Sequence, residues 1–275
     1  MRASRRHGPA NAIRAGIGGV LATVLTAVSA ADTRTLEDFE GVWSGYFTTQ
    51  DNEFWNVEDL PCFPGCSAEW RAKLTALLDD PANDSKPTAE LVKMAGDPAE
   101  QIRAILTPLG KRIQDANNSL NDPKLHCEPY GFVREATSPL PMRIERDGEN
   151  LLIQYEEWSL TRTIYMDGRP HPDYQTPTLL GHSVGKIEDG ALVVRTARVN
   201  PNWISDATHA GHSGELEAVE RYTIRDNPRR LELELTIEDP VVLEKPYVIA
   251  KTWLATPDVK LLIDSCKDLP GKPDL

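Results

Sequence analysis

Residues 216–238 read LEAVERYTIRDNPRRLELELTIE, and the fold class follows from this stretch. Two strand-length runs, 216–225 and 231–238, flank Asp226-Asn227-Pro228, a turn-forming combination. Successive side chains of a strand point to opposite faces, so Leu216, Ala218, Tyr222 and Ile224 share one face. Glu220 falls on that face with them. Residues 142–146, 151–157, 160–166, 183–187, 192–199, 247–254 and 259–263 are further runs of strand length, and Asp147-Gly148 and Asp189-Gly190 are hairpin turn signals. Many short strands joined by tight turns, with no helices between them, predict a mainly β protein built as an antiparallel meander. Closing that meander into a barrel or strongly curved sheet removes its exposed edges.

The same alternation over 160–166 sets Arg162 among Leu160, Ile164 and Met166. A lone buried guanidinium or carboxylate is costly, so Arg162 and Glu220 are expected to partner each other inside the sheet. Such a pair is either a structural brace or, with Tyr222 beside the acid, a site where a carboxylate of shifted pKa exchanges protons.

A chain of 275 residues that is 40% hydrophobic can bury a large core, and one β domain with a helical annex accounts for its length. The formal charge of −12 excludes phosphate-backbone binding, which needs clustered Lys and Arg, and disfavours anionic membrane surfaces. Arg2, Arg5, Arg6 and Arg14 precede an apolar run over 15–28, and Val28-Ser29-Ala30 supplies small residues for cleavage. Residues 1–31 are therefore read as an export signal, and the mature chain as periplasmic or secreted. An uncleaved anchor is disfavoured by the short, Gly/Ala-rich run. Ser4-Arg5-Arg6 touches the twin-arginine pattern, but His7 and Gly8 stand where apolar residues are wanted.

Residues 32–126 read as an entry strand over 39–48 followed by a helical annex, and residues 127–275 as the antiparallel β domain. Ser67 can cap a helix carrying Trp70, Leu74, Leu77 and Leu78, and Thr88 can cap one ending at Gly96. Asp97-Pro98-Ala99-Glu100 has a capping carboxylate, a first-turn proline and a following acid, with Ile102, Ile105 and Leu106 at helical spacing. Thr107-Pro108 starts a last helix towards Asn117. These helices either pack on the sheet or serve as a lid. Four cysteines, Cys62, Cys66, Cys127 and Cys266, follow the signal; an even number in an oxidising compartment favours two disulfides, with three possible connectivities. Zinc on Cys62 and Cys66 would need a second ligand pair that is not nearby.

Residues able to do chemistry gather at strand edges between 162 and 222. His182, His212, Glu220 and Asp167 are the catalytic candidates, because imidazoles and carboxylates move protons near neutral pH. Arg162, Arg169, His171, Ser183, Ser213 and Tyr222 are candidate binding residues around them. Three histidines and an acid would suit zinc, and the loop 209–212 is read as flexible; without tight ligand spacing, however, no cofactor is expected and a divalent metal is the alternative. Gly181-His182-Ser183-Val184-Gly185 matches a nucleophile elbow, but 186–190 continues as strand where that motif needs a helix. No Gly-rich nucleotide motif is present.

The ordered pattern R-x-I-Y-x-D-G-R-x-H-P (162–172), P-T-x-x-G-H-S-x-G (177–185), L-V-V-x-T (192–196) and H-S-x-x-L-x-x-x-E-R (212–221) resembles a large family of exported bacterial proteins. That resemblance implies a layout and no reaction. It also implies a cysteine in a C-x-P-x-G turn, matched by Cys127 to Gly131, bonded to one after the last strand, matched by Cys266, which leaves Cys62 with Cys66. Gly41-Val42-Trp43 further resembles the Gly-x-Trp entry of lipocalin-like barrels. Three functions fit: a cofactor-independent acid–base enzyme (hydrolase, lyase or isomerase) on a small, partly apolar molecule; a lipocalin-like carrier; or an envelope structural protein. Density of polar residues at strand ends favours the first two.

Overall fold

Nine strands close into a barrel, in the spatial order β1-β11-β10-β9-β6-β5-β4-β3-β2. They are β1 (Gly41–Ser44), β2 (Met142–Asp147), β3 (Asn150–Tyr155), β4 (Thr161–Tyr165), β5 (His182–Glu188), β6 (Ala191–Ala197), β9 (Glu217–Arg225), β10 (Arg230–Glu238) and β11 (Tyr247–Ala255). Between β6 and β9 the chain forms a small ribbon of β7 (Asn202–Trp203) and β8 (Gly211–His212). This is a computed structural model describing residues 34–45, 67–174 and 176–262. The expected export signal, Cys62, Cys66 and Cys266 lie outside the described residues. Among the described residues no helix is long and apolar enough to cross a membrane.

The barrel obeys the alternation read from the sequence. Along β9, Ala218, Glu220, Tyr222 and Ile224 are buried; along β10, Leu231, Leu233, Leu235 and Ile237 are. Ladder pairs such as Leu233 opposite Tyr222 and Leu235 opposite Glu220 bring the two inner rows together. Asp189 and Gly190 both adopt positive φ, 49° and 72°, the geometry of a tight hairpin whose twist matches its strands.

Three departures from expectation have local causes. The meander is broken once, because β4 and β5 pair in parallel at Ile164–Ser183 and Tyr165–Val184. Parallel neighbours need a long crossover, and the segment 166–181 carries the chain back to the barrel end it had left. Residues 259–262 are not strand: both edges of β11 are already taken, by β1 and β10. β3 stops at Tyr155, since Glu157–Ser159 forms a 3₁₀ turn in which Trp158 and Ser159 adopt positive φ, 59° and 52°.

Among the described residues six α-helices accompany the barrel: α1 (Leu36–Phe39), α2 (Ala68–Leu78), α3 (Thr88–Ala95), α4 (Pro98–Arg103), α5 (Pro108–Ala116) and α6 (Phe132–Ala136). Ser67, Asp97 and Thr107 cap α2, α4 and α5 by accepting backbone N–H bonds from Trp70, Ala99 and Gly110. Thr88 is not a cap; it is the first residue of α3, and Pro87, at φ −61° and ψ 141°, holds the capping position. Trp70, Leu74, Leu91 and Ala95 form a small second core, closed where the Trp70 indole donates to the Gly96 carbonyl at 2.8 Å.

The segment 131–141 crosses the end of the barrel where β2 starts and β3 ends. Phe132 N donates to the Leu179 carbonyl, Gly45 N to that of Pro139, and Glu156 N to that of Pro141. All of 131–138, including α6, is buried, so this segment is the stopper of that end.

Candidate functional site

The parallel seam is short, with two paired positions, and one side chain rivets it from inside. Arg162 of β4 donates through Nε to Ser183 Oγ of β5 at 2.8 Å and through Nη2 to Thr196 Oγ1 of β6 at 2.6 Å. Its Nη1 donates to Glu220 Oε1 of β9 at 2.9 Å, and its Nη2 also donates to Glu220 Oε2. A single guanidinium thus ties four consecutive strands together. Glu220 receives two further hydrogen bonds, from the Tyr222 hydroxyl at 2.7 Å and from Thr196 Oγ1 at 3.3 Å. The Phe132 ring lies 4.7 Å from the guanidinium carbon, placing the stopper against it.

Both partners are buried, Arg162 at 2% exposure and Glu220 at 0%. Burial alone would lower the Arg162 pKa, but the Glu220 carboxylate outweighs it and holds the guanidinium charged. Desolvation and the Glu220 charge push the Tyr222 phenol well above its ordinary value. Each Glu220 oxygen accepts two donors, so this carboxylate is the saturated anchor of a brace. Ser183 Oγ is likewise held by Arg162 and by Thr196 at 3.1 Å, and its neighbour His182 faces the other side of β5, which leaves it no base.

On the outer side of the same seam, His182 and His171 approach through their Nδ1 atoms at 2.9 Å. The His182 ring stacks on Tyr165 of β4, centroids 5.0 Å apart. The Arg169 guanidinium lies 4.1 Å over the opposite partner of that stack, Tyr165, and is pinned by Asp167 through Nε at 2.9 Å. Burial, then the Arg198 and Arg195 charges, lower the His171 pKa against the pull of Glu217. Burial, then His171 and Arg169, lower that of His182. Hydrogen bonds from Arg169 hold the exposed Asp167 carboxyl down to about 2.

His212 and Ser213 form a third group. The 209–212 stretch, read from sequence as flexible loop, belongs to the β7–β8 ribbon, with Ala210, Gly211 and His212 buried. A Cβ on Gly211 would come within 2.8 Å of Ile113 Cγ2, which shows how closely α5 covers the ribbon. His212 is 3% exposed, its Nδ1 faces the Ser213 carbonyl at 2.9 Å and its Nε2 has no partner among the described residues. Burial holds its pKa down, so it is a neutral imidazole. Ser213 Oγ donates to Asp239 Oδ1 at 2.8 Å, and Ser213 N to Asp239 Oδ2 at 2.6 Å. The hydroxyl therefore points at the acid and not at the imidazole, unlike a catalytic triad, where histidine bridges the two.

The ten site candidates thus divide into an interior brace (Arg162, Ser183, Glu220, Tyr222), an outer rim cluster (Asp167, Arg169, His171, His182) and a ribbon pair (His212, Ser213). Thr196, Tyr165 and Asp239 belong with them and were not singled out by the sequence reading. Inward parity along L-V-V-x-T marks Thr196, and R-x-I-Y contains Tyr165. Among the described residues no three His, Cys, Asp or Glu side chains are grouped as a metal site. No family model, curated protein or solved structure matches the chain.

Proposed function

We propose that this is an exported enzyme that acts on a small, partly apolar molecule by acid–base chemistry, with the His171–His182 pair at the barrel rim transferring the proton. The single observation that carries this reading is the 2.9 Å contact between the two Nδ1 atoms. At that distance one nitrogen carries hydrogen and the other a lone pair. The first added proton is shared, and a second would set two N–H groups against each other, so the pair titrates as a unit. Two imidazoles, partly desolvated and held by a stacked tyrosine, are suited to take a proton from substrate and return it. Asp167 and Arg169 act as positioning residues, since the pinned guanidinium backs Tyr165 and Tyr165 backs His182. The brace behind them has a structural part: it sets the seam on which His182 stands.

The fold also suits a lipocalin-like carrier, but Arg162 spans the interior from β4 to β9, and Trp43, Trp253 and Tyr222 fill it further. Acid–base action at the rim fits that packing better than carriage inside. The reading includes export directed by residues 1–31, disulfides Cys127–Cys266 and Cys62–Cys66, and a reaction that needs no organic cofactor. A mass-spectrometric metabolite screen of purified mature protein, with and without divalent metal, tests it against His171→Ala and His182→Ala. Turnover by the wild type that both variants lose is the expected result. Turnover retained by both, or a co-purifying ligand that is never converted, overturns it. The rate should rise with pH through an apparent pKa below the ordinary histidine value, because both rings are shifted down.

A further inference from the structure

Beneath the stopper lies a carboxyl group that no neighbour satisfies. Glu135 of α6 is 1% exposed, and neither of its oxygens has a hydrogen-bond partner among the described residues. Roughly nine in ten buried polar groups are paired, and an unpaired one costs about 1–3 kcal/mol. The groups around it follow the rule: Ser138 Oγ donates to Glu157 Oε2 at 2.7 Å, Trp253 Nε1 to the Ser138 carbonyl at 3.0 Å, and Thr137 Oγ1 to the Val133 carbonyl at 2.8 Å. One more unpartnered buried atom, the Trp158 indole nitrogen, lies in the chain that leads away from it, and the Tyr155 hydroxyl at the end of β3 faces Arg162. Tyr155 lies within electrostatic reach of Glu135, and Glu135 within reach of Glu157. Tyr130 bonds to Glu157 and meets Trp158 edge-on, ring centroids 6.0 Å apart.

We infer that Glu135 and Glu157, walled by Tyr130, Tyr155 and Trp158, form a binding site for a small organic ammonium ion. A cation between the two carboxyls compensates the charge that Glu135 takes on as it gives up its proton, and its N–H groups supply the donors that Glu135 lacks. Aromatic faces add cation–π attraction, and the net charge of −12 favours an approaching cation. A metal would require more oxygen ligands than two carboxyls provide. Tyr155 also lines a cavity of about 340 Å³ together with Arg143, Leu160, Leu261 and Leu262. An amphipathic ligand would set its ammonium at the acids and turn its alkyl or aryl body towards those leucines. The groups facing Glu135 are Glu157 from the 3₁₀ turn, Tyr155 from β3 and Arg134 from α6 itself.

Binding has a proton signature. Burial, then the Glu157 charge, pushes the Glu135 carboxyl up to about 9 against the opposing Arg134, so it is protonated at neutral pH. An ammonium ion has to displace that proton, and its affinity should rise about tenfold per pH unit between pH 6 and 8. The site stands apart from the His171–His182 reading, and histidine variants should leave it unchanged.

Calorimetric titration of the full chain with benzylammonium, in two buffers of different ionisation enthalpy, tests the assignment. Its neutral isostere, benzyl alcohol, is the control. Benzylammonium is expected to bind with about one proton released, about tenfold tighter at pH 8 than at pH 7. Glu135→Gln, which keeps the shape and folds with an unchanged circular dichroism spectrum, should bind at least tenfold more weakly and release none. Absence of benzylammonium binding overturns the inference. So do binding without proton release, equal binding of benzyl alcohol, and unchanged binding by Glu135→Gln.

Discussion

Arg162 joins four barrel strands through one guanidinium. Its guanidinium replaces backbone hydrogen bonds that the short parallel seam cannot make, and its value depends on every partner being present. Removing one member of a buried ion pair leaves the other uncompensated, so Glu220→Ala should destabilise the fold by about 3–5 kcal/mol. Glu220→Gln still accepts from Tyr222 and Arg162 and should cost distinctly less. Urea denaturation of the two variants measures the difference, and an alanine variant as stable as wild type would show that the brace contributes nothing. The exposed Asp167–Arg169 pair is a different case. Solvent-exposed pairs contribute little to stability, so Asp167→Asn should leave the denaturation midpoint nearly unchanged and act through the position of Arg169 over Tyr165.

At the scale of elements, α6 is a helix of five residues held by its surroundings. Arg134 anchors it through a buried pair with Asp122, at 2.9 Å and 3.1 Å, and through the Tyr130 ring 3.8 Å away. Glu135 works against that anchoring as pH rises. Its carboxyl is near 4.5 in the unfolded chain and about 9 in the folded one, so the folded state holds the proton more tightly. Its contribution is full below pH 4.5 and is lost progressively as pH climbs towards 9, by up to about 1.4 kcal/mol per unit. Glu135→Gln should therefore flatten the stability profile between pH 5 and 9 and raise stability at pH 8. Thermal melts across that range check this; a wild-type profile that rises with pH would contradict the placement of the carboxyl.

For the molecule as a whole, the reading as an exported protein carries a covalent consequence. Non-reducing peptide mapping of periplasmic material should find Cys127 joined to Cys266 and Cys62 to Cys66. The first bond would tie the approach to the stopper to the chain beyond β11, so its reduction should lower the melting temperature of the whole barrel. Free thiols at all four positions would remove the compartment argument.

What the amino-acid order determined by itself was the local and periodic part. A two-residue alternation is a property of consecutive residues, so the strands, the inward row of Ala218, Glu220, Tyr222 and Ile224, and the need of Glu220 for Arg162 were legible without coordinates. Caps at Ser67, Asp97 and Thr107 were legible for the same reason: a cap acts within three residues. Tertiary structure alone decided what depends on residues far apart in sequence. Parallel pairing of β4 with β5 depends on where the segment 166–181 delivers the chain, and that is set by packing. Residues 259–262 have strand composition, yet a strand needs a free edge, and closure of the barrel had removed the edges of β11. The histidines looked like one set because they share a chemistry, but strand parity turned His182 outward to His171 while the ribbon buried His212 against α5. Glu135 was silent in the sequence because five residues carry no period, and its lack of a partner exists only once the stopper is seated in the barrel.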